Sequence, residues 1–74
     1  MEISERNQRK KYKKYYKKLS ENSIDKAQSL SVLQSNLERD YEDKLHVRPK
    51  WVVRGVRLRI EAIKELRTEM LIHA

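Results

Sequence analysis

Eight Lys or Arg residues stand between positions 6 and 18: Arg6, Arg9, Lys10, Lys11, Lys13, Lys14, Lys17 and Lys18. No acid interrupts them, and Tyr12, Tyr15 and Tyr16 are interleaved. Cationic groups this close repel one another, and a polyanion relieves the repulsion. Lys and Arg bind phosphates and release their counterions, while Tyr rings can stack on exposed bases. The run therefore points to DNA or RNA. Lys outnumbers Arg, which favours phosphate contact over reading of base edges, where the Arg fork serves better. Eight uncompensated bases in thirteen positions also exceed what solubility asks of a surface. For the Tyr residues, packing against a neighbouring helix is the commoner role.

A second basic set, Lys50, Arg54, Arg57 and Lys64, falls on one side of a later segment. Arg54 and Arg57 could enter a nucleic-acid groove. Pairing with nearby acids accounts for them more simply.

Other chemistry finds little support. There is no Cys, one Gly and two His residues, His46 and His73. Nucleophilic thiol chemistry and a Gly-rich phosphate loop are therefore excluded. The Ser residues sit near expected helix ends or on polar faces. We expect no enzyme and no cofactor. Asp40-x-x-Asp43-x-x-His46 has the residue types of a metal site. Its members rotate by ~60° per step around a helix, so they do not converge on one ion.

The elements that carry these residues are helical by pattern. With one Gly, one Pro and no Phe, the chain lacks the turn formers of a hairpin-rich sheet protein. Breaks fall at Leu19-Ser20-Glu21-Asn22-Ser23, rich in capping residues, and at His46-Val47-Arg48-Pro49. They divide the chain into segments near 4–19, 24–45 and 49–72. Ala27, Leu30, Leu33, Leu37, Tyr41 and Leu45 form one stripe, with Ile24 at its edge and Val32 off it. In the third segment a broad arc holds Val52, Val53, Val56, Ile60, Ile63, Leu66, Met70 and Leu71. Trp51, Leu58 and Ala62 make a smaller patch. Arg59 and Arg67 fall inside the arc, where such residues snorkel or pair at a rim. Gly55 costs a helix ~1 kcal/mol against Ala, which means either a close approach there or a tolerated weak spot. Val52, Val53 and Val56 make Trp51–Leu58 the stretch least committed to helix.

The predicted fold is all-α. An antiparallel helical hairpin (24–45 and 49–72, within 20–74) follows a basic helix or arm at 1–19. Residues 1–19 hold eight bases and two acids, net +6, 20–47 net −3 and 48–74 net +4. A hairpin would bring Glu38, Asp40, Glu42 and Asp43 beside Arg48, Lys50, Arg54, Arg57 and Arg59. At 74 residues without disulfides the core is small, and the arc is wider than one helix needs. A homodimeric bundle is the expectation. No apolar run reaches the ~18 residues of a membrane span, no signal peptide is evident, and the absence of Cys fits the cytoplasm. The resulting functional expectation is a small accessory or regulatory protein that grips nucleic-acid phosphates with its N-terminal segment. The alternative is an inhibitor or assembly factor docking its basic and apolar faces on an acidic protein.

Overall fold

The computed structural model describes residues 4–72. Glu2 and His73 lie outside that range. Three helices follow one another, α1 (Glu5–Glu21), α2 (Lys26–Lys44) and α3 (Lys50–Ile72), with no strand among the described residues. Each start has a local cause. Ser4 is extended and its Oγ accepts the Asn7 N–H at 3.2 Å. Asp25 does the same for Gln28 at 3.0 Å. The first break therefore resolves differently from expectation. Ser20 stays inside α1, buried, its hydroxyl donating to the Lys17 carbonyl at 2.9 Å, and Asn22 closes the helix. Asp25 takes the cap because its carboxylate both accepts an orphan amide and faces the positive end of the helix dipole. The Pro49 carbonyl accepts from the Val52 and Val53 amides as α3 begins. The Val-rich stretch after it is continuous helix, because burial outweighs a weak local preference.

The contacts fix the direction of each helix. On α2 and α3, Leu30 lies with Leu66 and Met70, Gln34 with Arg67, and Lys44 beside Val52 and Gly55, so position rises along one and falls along the other. On α1 and α3, Glu5 meets Arg57, Arg9 meets Glu61, and Lys13 meets Glu65, so the two run the same way. The chain is an up-down-up arrangement in which α3 is central, and α1 and α2 touch each other far less than either touches α3.

The buried cluster is Tyr16, Leu30, Ile63 and Leu66, with Tyr12, Leu33, Leu37 and Met70 packed on it. Both apolar tracts of α3 are used within the chain, with Ile63 and Leu66 of the broad arc meeting Tyr16 of α1 and Leu30 of α2. The broad arc contributes Val56, Ile60, Ile63 and Leu66. Leu58 and Ala62 of the smaller patch are fully buried and share the α3 surface that carries Glu61 and Glu65, the partners of α1. The width of the broad arc is the ground for expecting a second chain, and in the structure Tyr12 and Tyr16 of α1 lie against part of that arc. Ile24, Val32, Trp51 and Leu71 stay exposed. Among the described residues no helix is long and apolar enough to cross a membrane.

Candidate nucleic-acid interface

α1 sorts its bases by the direction they face. Its inward side holds Tyr16 and Ser20, with Tyr12 half-buried at the edge. Flanking these, Arg9 reaches Glu61 at 3.4 Å and Glu65 at 3.1 Å. Lys13 reaches Glu65 at 3.8 Å and also pairs with Glu69. At the start of the seam Arg57 donates to Glu5 at 2.7 Å and to its own-helix neighbour Glu61 at 2.8 Å. That hydrogen bond from Arg57 holds the Glu5 carboxyl below the usual carboxylate range, helped by the charges of Arg54 and Arg9. The same bond raises the pKa of Arg57. Burial pushes the Tyr16 hydroxyl above its usual value.

Three of the ten expected phosphate ligands, Arg9, Lys13 and Arg57, thus join α1 to α3. Lys13 does not lie with Lys10, Lys14 and Lys17, because the acids of α3 draw it to the seam. Arg6, Lys10, Lys11, Lys14, Lys17 and Lys18 are exposed, and none has an acidic partner within salt-bridge distance among the described residues. At 3.6 residues per turn they cover an arc of roughly 140° on the outer face of α1 over a length of ~18 Å. Glu21 is the one acid that falls within this arc. Arg54 is exposed near the start of α3, close enough to Glu5 to lower its pKa.

The pairing expected between 38–43 and 48–59 is replaced. Among the described residues no ion pair joins those stretches. Asp40 takes Lys44 at 3.0 Å within α2, Glu38 accepts from Gln34 at 2.8 Å, and Arg57 turns to Glu5 and Glu61. Partners one turn away on the same helix are closer than those across a seam, and α1 supplies Glu5. Of the arginines inside the α3 arc, Arg67 donates to Gln34 Oε1 at 2.7 Å, and the Arg59 guanidinium sits 5.1 Å above the centre of the Tyr12 ring. The Tyr residues divide. Tyr16 packs, Tyr12 carries Arg59, and Tyr15 remains exposed with an edge-on contact to Tyr16.

The seam had a signal in the sequence. Glu5, Arg9 and Lys13 recur every four residues on α1, and Arg57, Glu61, Glu65 and Glu69 do so on α3. Two such ladders of opposite sign can zip together in parallel. Gly55 brings no close approach, since among the described residues a Cβ there would meet no atom within 4 Å beyond its chain neighbours and its own helix backbone. The chain matches no family model, no curated protein and no solved structure.

Proposed function

We propose that this chain is a small accessory or regulatory protein that binds nucleic acid along its phosphate backbone. One observation carries the reading. After the ion pairs are counted, Arg6, Lys10, Lys11, Lys14, Lys17 and Lys18 still share the outer face of a docked, ordered helix without acidic partners among the described residues. A rigid helix holds these charges in fixed relation, so less side-chain and backbone freedom is lost on binding than with a loose tail. Arg54, exposed on α3 near Glu5, is a further cation at one end of the molecule.

The test is a salt titration of binding to duplex DNA and RNA. If three to six bases meet phosphates, log affinity falls with log salt at a slope of roughly −3 to −5. Replacing Lys10, Lys14, Lys17 and Lys18 with Gln lowers that slope and weakens all sequences alike. Arg9 and Lys13 are left in place so that α1 stays docked. A parent protein that binds no nucleic acid at low salt refutes the reading. An acidic protein partner, whose capture from lysate survives nuclease treatment, then takes its place.

The binding unit is one chain in this reading. The width of the α3 arc favours a homodimer, and α1 and α2 cover part of that arc within a single chain while Leu71 stays exposed. Light scattering is expected to give the mass of one 9.0 kDa chain. Twice that mass restores the dimer.

A further inference from the structure

α1 and α2 are joined at one end by the short link at 22–25, where the buried cluster of Tyr16, Leu30, Ile63 and Leu66 packs and a mostly apolar hollow remains between Ser20, Lys26, Leu30 and Met70. Toward the other end a groove opens above α3, with Gly55 in its floor and Tyr12, Lys44, Trp51 and Arg59 around it. Among the described residues no side chain comes within 4 Å of the point where a Cβ on Gly55 would stand, its two chain neighbours aside. Trp51 is 75% exposed beside the groove. On the flank of α1, Lys11 and Tyr15 border a second hollow that shares Tyr12 and Arg59 with the first.

Arg59 is the telling residue. It lies at the middle of the inward arc of α3, half-buried, where an apolar side chain would ordinarily stand. Among the described residues it has no carboxylate partner, and its guanidinium rests over the aromatic face of Tyr12. Lys44 is answered by Asp40, but Lys11 and Arg59 are not. A partly desolvated guanidinium without an anion, set in an open polar groove beside an exposed indole, matches the two halves of a nucleotide. Arginine forks bind phosphate, and aromatic faces stack on bases. Trp51 and Arg59 are two turns apart, ~12 Å along the helix, so they suit a strand passing through the groove. A base inside a duplex has no free face to offer.

We propose that the groove between α1 and α2 takes an unpaired stretch of single-stranded nucleic acid, with a phosphate on Arg59 and Lys11 and a base against Trp51. This rests on the phosphate-binding reading of α1 and adds a preference that the outer face of α1 alone lacks. That face meets single and double strands alike, and the groove admits only the single strand.

Trp51 is the only Trp and therefore its own reporter. The experiment titrates the whole protein with a thymidine oligonucleotide of about 16 nucleotides, and separately with a duplex of the same length. The single strand is expected to quench Trp51 emission and to bind more tightly, while the duplex leaves the emission near its starting value. Arg59→Gln is expected to weaken single-strand binding about tenfold and duplex binding little. Gly55→Leu, whose side chain enters the empty groove, is expected to do the same while keeping the helix content of the parent. It decides the matter should Arg59→Gln fail to fold. Equal binding of both forms with Trp51 unperturbed overturns the groove and leaves the α1 reading standing. Binding of neither form overturns both. Single-strand preference that survives Gly55→Leu also overturns the groove.

Discussion

Gly55→Ala is expected to make the protein more stable. Gly55 lies within the first two turns of α3, and its backbone has no positive φ that would need glycine. Among the described residues the added Cβ meets no atom within 4 Å beyond its chain neighbours and its own helix backbone, so no overpacking cost opposes the change. What remains is the difference in helix preference, ~1 kcal/mol, gained chiefly by restricting the unfolded chain. The methyl group enters an open groove, so burial adds little to that figure. In a domain of this size ~1 kcal/mol corresponds to a rise in Tm of about 4–8 °C. Thermal and urea unfolding followed by circular dichroism measure it, and the urea midpoint should rise at an unchanged slope. Single-strand binding should persist, because a methyl does not fill the groove as the Leu of Gly55→Leu does. A neutral or destabilising result means that something approaches Gly55 closely in solution, and the reading of the groove as open space is then wrong.

Three further outcomes follow from the seam and the core. Glu65→Gln removes the acid shared by Arg9 and Lys13 and is expected to cost ~0.5–1 kcal/mol in urea unfolding at low salt, an effect that shrinks toward zero near 1 M salt. Because Glu5 has a lowered pKa in the folded protein, its contribution is present above the ordinary value of 4.5 and is lost as pH falls through the lower folded value. Glu5→Gln should therefore flatten the acid limb of a stability–pH curve, and a curve identical to the parent's refutes the pairing with Arg57. Tyr16 has a raised pKa, so its contribution is present below the ordinary value of 10.0 and is lost as pH rises through the higher folded value. Tyr16→Phe should hold its helix content to more alkaline pH than the parent does, relative to its own stability at neutral pH.

What the sequence made legible was each helix and, for α2 and most of α3, the side it buries. Leu30, Leu33 and Leu37 recur at three and four residues and are the inward side of α2, while Val32, off that stripe, is exposed. The ends of the stripe were less legible. Ala27 and Leu45 match its period yet are exposed, since a helix end can extend past the neighbour that would cover it. Which surface meets which was not legible at all. An apolar arc states that something covers it and carries no label for its partner. The width of the α3 arc suggests a dimer face, and in the structure α1 supplies Tyr12 and Tyr16 to cover part of it. The apolar face of α1 is narrow, so hydrophobic period alone ranked it below the other two helices.

The charge run had the same ambiguity, and its resolution is geometric. On a helix, thirteen consecutive positions cannot all face one way, so a run of eight bases must split once the helix docks. Arg9 and Lys13 fall beside the buried Tyr16 and meet Glu61, Glu65 and Glu69. Arg6, Lys10, Lys14 and Lys17 fall away from it. The acids of α3 thus do more than add a few exposed pairs, each worth at most ~1 kcal/mol. By matching the four-residue repeat of α1 they act with the burial of Tyr16 and Ser20 to set its rotation about its own axis, and that rotation decides which cations face outward. The sequence shows how many bases there are. The division of labour among them comes from Glu61, Glu65 and Glu69, some fifty residues further along the chain. Reversing those three acids to Lys should therefore do more than loosen α1. It should also remove the rotational preference that keeps the outward bases together, and so weaken nucleic-acid binding per added positive charge, where simple electrostatics predicts a gain.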